Sequence, residues 1–280
     1  MNKRNLTIQE IHRLETEMLK VTDEICKKNN IKYSLICGSV LGAVRHGGPI
    51  PWDTDSDITV GYEEMDRLCL ALEKQLPEWC CLYKFDNAKN FYRFLPRIGV
   101  KGCDSAILHV DIFPQVGLPD DAEAQMKYDK KSKRLDRLFC WKLIVQSKDL
   151  YTPGSKMRVL SRKIAKVVLK IVLAPFSRDF LYKLVNSHYS KYPYSESKYV
   201  MNPLGHYGMK NVLDKNYFED LIEVDYDGIK LSIPREYDTY LRHYYKDYEK
   251  FPPKEEQDKM LSFMVLVDED FDVDKIINSK

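Results

Sequence analysis

The 280-residue sequence has no Cys-x-x-Cys pair, no long uninterrupted apolar run and almost no net charge, +2 at pH 7. Each absence closes off a class of function. Seven cysteines, Cys26, Cys37, Cys69, Cys80, Cys81, Cys103 and Cys140, form an odd set at irregular spacings. That pattern excludes a zinc signature and fits unpaired thiols in a reducing compartment. Met1-Asn2-Lys3-Arg4-Asn5 passes directly into a charged amphipathic segment, so neither a signal peptide nor a membrane span is expected, and the protein is expected in the cytoplasm. Balanced charge leaves no electrostatic footprint for nucleic acid, and none is expected as a partner.

What the chain does contain is concentrated between Cys37 and Val60. Residues 33–37 lean towards strand, Gly38-Ser39 reads as a tight turn, and residues 40–45 suit a helix. Gly38 lets backbone approach a ligand, and the N–H groups of the turn with the Ser39 hydroxyl make a cradle for phosphate. Downstream, Asp55 and Asp57 precede Ile58 and Val60. On a strand, Ser56, Ile58 and Val60 turn to the core while Asp55 and Asp57 share the opposite face. Two adjacent carboxylates repel and call for a cation, and hard oxygen ligands that leave room for water and phosphate favour Mg²⁺ or Mn²⁺. Either feature alone says little; in this order they form two halves of a phosphoryl-transfer site.

This stretch resembles the signature of the LicD family, the phosphocholine-transferase-like, fukutin-type branch of the nucleotidyltransferase superfamily. The matching residues are Gly38, Ser39, Leu41, Gly42, Ala43, Arg45, His46, Ile50, Pro51, Trp52, Asp53, Asp55, Asp57 and Ile58. Thr54 stands where the family often has another Asp, and Ser56 where an aliphatic residue is usual. Neither departure removes the paired carboxylates. Arg45 belongs to the resembling motif, with a phosphate-binding role or an ion pair to a local Asp as its alternatives. Trp52 is expected to shape the loop or stack on a base, and Asp53 to support the ligating acids from behind.

The remaining elements follow from periodicity. Thr7 and Glu10 have capping-box form, and Ile11, Leu14, Met18, Val21 and Ile25 mark a long helix ending near Asn29-Asn30, with His12 on its surface. Residues 62–76 read as a covering helix stopped by Pro77. Short strands are expected at 81–85 and 91–95, followed by Arg97, which either reaches donor phosphates or lies on the surface. Along 107–113, Leu108, Val110 and Ile112 share one face and His109, Asp111 and Phe113 the other, with Pro114 ending the run. An aspartate in so apolar a strand is costly unless paired, and a metal shared with Asp55 and Asp57 would pair it. The same segment resembles the family's third-carboxylate motif.

Residues 120–149 are dense in charge and are expected to be solvated helix and loop. Over 156–176, Met157, Leu160, Ile164, Val167, Val168 and Ile171 form a helical stripe among Lys156, Arg158, Arg162, Lys163, Lys166 and Lys170, with no acid from 155 to 178. Such a basic amphipathic helix either packs on the domain or lies on an anionic membrane. Later, Gly205-His206-Tyr207-Gly208 stands out, a hairpin turns at Asp227-Gly228, and Pro234 opens a helix carrying Tyr237, Tyr240, Leu241 and Tyr244 before Phe251-Pro252-Pro253. His206 and His243 show no partner in the sequence and receive no role.

Together these readings predict an α/β (α+β) chain with a nucleotidyltransferase-like mixed-sheet core over 1–119. A helical insertion bearing the basic helix is expected over 120–194, and a LicD-like C-terminal segment over 195–280. The resemblance implies a metal-dependent phosphotransferase that moves an alcohol phosphate, phosphocholine foremost, from a CDP-activated donor to a hydroxyl of a surface glycan, lipid-linked glycan or teichoic-acid-like precursor. CMP would leave. Asp55, Asp57 and Asp111 would ligate the metal and act in catalysis, with Asp111 the preferred proton acceptor. Gly38, Ser39, Arg45, Trp52 and Arg97 would hold the donor. The competing readings are a true nucleotidyltransferase acting on a small molecule and a non-catalytic protein docked on the inner face of a membrane.

Overall fold

Among the described residues of the central sheet, the acids sit on the one parallel strand pair. A computed structural model describes residues 3–88, 91, 93–103, 108–146, 156–260 and 265–278. The first part of the chain runs β1 (Lys3–Asn5), α1 (Ile8–Lys28), β2 (Tyr33–Leu35), α2 (Cys37–His46), β3 (Asp55–Gly61), α3 (Met65–Gln75), β4 (Cys80–Tyr83), β5 (Arg97–Val100) and β6 (His109–Leu118). Three helices follow, α4 (Ala122–Gln146), α5 (Lys156–Val172) and α6 (Arg178–Tyr189). The last part contains β7 (Tyr199–Met201), β8 (Val212–Asp214), α7 (Asn216–Glu219), β9 (Leu221–Tyr226), β10 (Ile229–Pro234), α8 (Tyr237–Tyr245), α9 (Lys254–Met260), β11 (Leu266–Asp268) and α10 (Val273–Ile277).

Among the described residues, seven strands make one mixed sheet, ordered β2-β3-β6-β5-β4, with β7 joined to the far end of β6 and β8 to β7. The β3–β6 pair is parallel and its neighbours are antiparallel. The expected mixed α/β architecture is therefore present. Alternation holds as read: Ser56, Ile58 and Val60 are buried on β3, and Leu108, Val110 and Ile112 are buried on one side of the other parallel strand. The helix before them also forms as expected. The Thr7 hydroxyl accepts the Glu10 N–H at 3.2 Å, while the Glu10 carboxylate accepts the Thr7 N–H at 2.8 Å.

Several boundaries differ from the sequence reading, each for a local reason. Pro114 does not end β6, which continues to Leu118. Pairing with β5 stops at Asp111 and pairing with β7 begins at Val116, so Pro114 falls where that edge of the strand has no ladder to lose. The described residues of 91–95 form no strand, and β5 starts only after Pro96. Pro234 closes β10 rather than opening a helix, and α8 begins at Tyr237. Ile107, the expected start of β6, lies outside the described residues.

The charged stretch after β6 is not simply solvated. Tyr128, Leu135, Phe139 and Leu143 recur at helical spacing along α4 and bury against Leu181, Val185 and Tyr189 of α6 and Val116 and Leu118 of β6, forming a second core. The basic helix α5 behaves differently. Of its described side chains, Ile164, Val167, Val168 and Ile171 face solvent.

Candidate active site

Adjacent strands bring the three acids to one face of the sheet. The β3–β6 register pairs Asp55 with His109 and Asp57 with Asp111, and the β5–β6 register pairs Arg97 with Asp111. Paired residues of adjacent strands project from the same side of the pleat, so Asp57, Asp111 and Arg97 form one row across three strands. Asp55 and His109 form the next row. Arg97 is not a surface residue: it is buried, and its Nε and Nη2 donate to the two carboxylate oxygens of Asp111, the second at 3.1 Å. His109 Nε2 stands 3.5 Å from carboxylate oxygens of both Asp55 and Asp111.

These partners divide the acids electrostatically. Burial alone would raise Asp111, but His109 and Arg97 outweigh it and hold the carboxyl below its ordinary range. Desolvation and neighbouring Asp53 push Asp55 up to about 7. Asp57 is likewise raised well above the usual carboxyl range, by burial first and then by Asp55, Asp111 and Asp53. Asp53 is raised by burial. Negative charge thus exceeds its local compensation around Asp53, Asp55 and Asp57, and that is the donor chemistry a hard divalent cation satisfies. Among the described residues no three His, Cys, Asp or Glu side chains are already drawn around a common point. The acids are aligned but not converged.

The turn before α2 anchors this row. Strand β2 stops at Leu35 and α2 begins at Cys37, so the sharp change of direction occurs at Cys37, with φ 49°, rather than at Gly38-Ser39. The Ile36 N–H donates to the Asp57 carbonyl at 3.2 Å, and the Asp57 N–H donates to Ser39 Oγ at 2.7 Å. Both backbone groups of Asp57 are therefore held by the turn between β2 and α2. The expected phosphate cradle is largely engaged elsewhere: the Cys37 N–H donates to Tyr240 Oη, and the Ser39 and Val40 N–H groups donate to the Ile36 carbonyl. Gly38 lines the adjoining cavity, where an added Cβ would stand 3.5 Å from Asp53 Oδ2. The sterically required glycine is Gly42, since a Cβ there would lie 2.5 Å from the Gly48 carbonyl oxygen.

Arg45 turns away from the acids. Its Nη1 donates to the Tyr248 carbonyl at 2.7 Å, and its guanidinium lies 4.8 Å from the Phe251 ring centre. Trp52 is buried edge-on to Phe251 and His46. Both residues line a cavity of about 610 Å³ whose far wall comes from 202–253. A second cavity, about 480 Å³, contains Asp55, Arg93, Arg97, His109 and Asp111. The two share Asp57, Phe113 and His206.

Four contributors escaped the sequence reading. His206 and Arg93 line these cavities although nothing near them in sequence marks a partner. His12 is half-buried rather than a surface residue, and its Nε2 lies 2.9 Å from the Asp53 carbonyl. Glu15 on α1 is fully buried, and neither carboxylate oxygen has a hydrogen-bond partner. Burial, then Asp53, Asp55 and Asp57, raise it well above the usual carboxyl range. Its position on the apolar stripe of α1, four residues from both Ile11 and Leu19, was a readable signal.

Residues 30–163 match the family described as "LicD/FKTN/FKRP, nucleotidyltransferase domain". The chain carries a LicD domain. Over 267 residues it is 27% identical to the lipopolysaccharide cholinephosphotransferase LicD of Haemophilus influenzae, covering 91% of this chain and 96% of that protein. A 63-residue stretch is 43% identical to an uncharacterized protein of Rickettsia prowazekii, covering 22% of each chain. A 48-residue stretch is 50% identical to one of Rickettsia typhi, covering 17% of this chain and 16% of that protein. The LicD domain includes Gly38, Ser39, Arg45, Trp52, Asp55, Asp57, Arg97 and Asp111. His206 and the far wall of the larger cavity come from beyond it. Among the described residues, no helix is long and apolar enough to cross a membrane.

Proposed function

We propose that this protein is a metal-dependent phosphotransferase that moves an alcohol phosphate, phosphocholine foremost, from a CDP-activated donor to a hydroxyl of a cell-surface glycan or teichoic-acid-like precursor. The observation that carries the reading is the row of Asp57, Asp111 and Arg97 beside Asp55, at the junction of two cavities. The similarity to a cholinephosphotransferase over nearly the whole chain supports the substrate class.

Asp55, Asp57 and Asp111 are the residues that would hold Mg²⁺ or Mn²⁺. When bound, the ion offsets the charge of the donor diphosphate and of the transferring phosphoryl group. The acceptor oxygen forms a bond to the phosphorus bearing the alcohol, the bond from that phosphorus to the bridging oxygen breaks, and its electron pair leaves with CMP. The acceptor proton passes to a carboxylate. Asp55 is favoured over Asp111 for that task, because its side chain is 42% exposed whereas Asp111 is buried in its pair with Arg97. Gly38 and Trp52 line the donor side, Ser39 fixes Asp57, and Arg97 brings positive charge beside the diphosphate. Arg45 shapes the donor chamber through 248–251. The acceptor is a membrane-presented glycan, and the protein works peripherally on the inner face.

The test is incubation of the pure protein and a hydroxyl-bearing glycan acceptor with CDP-choline, CDP-ribitol and CDP-glycerol, each with Mg²⁺, with and without chelator, while CMP is followed. CMP release that needs the cation and falls at least ~100-fold in Asp57→Asn, about 3 kcal/mol, supports the reading. Undiminished release in that variant overturns it, as does labelled donor sending its nucleotide to the acceptor.

A further inference from the structure

We propose that the outer face of α5 and the start of α6 docks on an anionic phospholipid surface. Ile164, Val167, Val168 and Ile171 are each more than half exposed, Ile171 at 69%. They recur at three- and four-residue steps, so they form one stripe along the helix. Beyond the helix end the apolar surface continues through Phe176 and Phe180, both exposed, whose rings stack with centres 5.9 Å apart. An amphipathic helix ordinarily turns its stripe to the core; this one presents it outward.

Charge decides what covers it. Residues 155–177 include Lys156, Arg158, Arg162, Lys163, Lys166 and Lys170 and not one acid, and the next acid, Asp179, is offset by its ion pair with Arg178. A second copy would bring two basic faces together, which repel. An anionic bilayer offers acyl chains to the stripe and headgroups to the flanking cations, the arrangement of a helix lying in the interface plane. No transmembrane crossing is implied. The inference stands apart from the chemistry of the carboxylates, since it uses none of their residues.

The experiment is flotation of the full-length protein with phosphatidylcholine vesicles made with and without phosphatidylglycerol, no nucleotide present. The bound fraction is expected to be about tenfold larger on the anionic vesicles and to fall as salt is raised. Val168→Glu/Ile171→Glu should abolish binding, and Lys166→Glu/Lys170→Glu should weaken it, each with an unchanged circular dichroism spectrum. Wild-type protein that fails to float with anionic vesicles overturns the proposal. So does equal binding by Val168→Glu/Ile171→Glu, or a concentration-dependent dimer in light scattering that this variant dissolves, which would identify a second copy as the occupant. CMP release by protein that never binds vesicles would leave the transfer chemistry intact while removing this face from membrane contact.

Discussion

Asp57 and Asp111 occupy the same level of two adjacent parallel strands, yet their proton affinities move in opposite directions. The difference lies in their partners: His109 and Arg97 together hold Asp111, whereas burial and three neighbouring acids act on Asp57. A single row therefore contains a compensated acid and an uncompensated one.

Removing the compensation should be costly. Arg97→Met leaves Asp111 buried with His109 as its remaining partner and is expected to destabilise the protein by about 3 kcal/mol in urea unfolding. The double variant Arg97→Met/Asp111→Leu should lose less than Arg97→Met alone. Asp111, with its lowered carboxyl, contributes stability above the ordinary carboxyl range, and this is lost as pH falls through its native value. Equal urea midpoints for wild type and Arg97→Met would remove the ion pair from the account.

Glu15 has the opposite sign. With its native carboxyl raised, the folded state keeps a proton that the unfolded chain releases, so stability falls as pH rises above the ordinary glutamate range. Glu15→Gln removes that burden and should flatten the decline, leaving the variant more heat-stable than wild type at pH 8 and nearly equal at pH 4. Parallel melting-temperature profiles for the two proteins would contradict this.

Ser39→Ala tests the clamp on Asp57. It strands the Asp57 N–H and should cost about 1–3 kcal/mol of stability. Turnover should fall as well, because the acid loses the contact that fixes its strand to α2. Unaltered CMP release and stability would show that Ser39 does not position Asp57.

Gly42→Ala drives a methyl group against the Gly48 carbonyl, a backbone atom that cannot step aside alone. About 1–3 kcal/mol of destabilisation is expected, seen as a lower urea midpoint. The substitution should also disturb the loop that carries Trp52 and Asp53. A midpoint unchanged from wild type would mean that this packing is looser than described.

Much of this arrangement was legible from local pattern and some of it was not. Alternation along 55–60 and 108–113 is a two-residue period, so it identifies by itself which side chains share a face. Register between strands leaves no such mark, and both the Asp57–Asp111 pairing across β3 and β6 and the Arg97–Asp111 pair across β5 and β6 depend on it. Pro114 was misjudged because a proline's cost in a sheet depends on which neighbour pairs there, a property of the partner strand. The stripe of α4 was hidden by the charges between its apolar positions. Glu15 was readable as an acid on an apolar stripe, whereas His206 was not, because its cavity is assembled from distant segments.

Arg45 lies within the motif that marks the LicD domain, but its hydrogen bond to Tyr248 fastens the last quarter of the chain over the larger cavity. A fragment ending at residue 163 would keep the acids and lose the chamber. If the protein acts as proposed, the reacting acids and the donor chamber have separate addresses, and drift in the distal wall would retune which alcohol is accepted while the acids stay fixed.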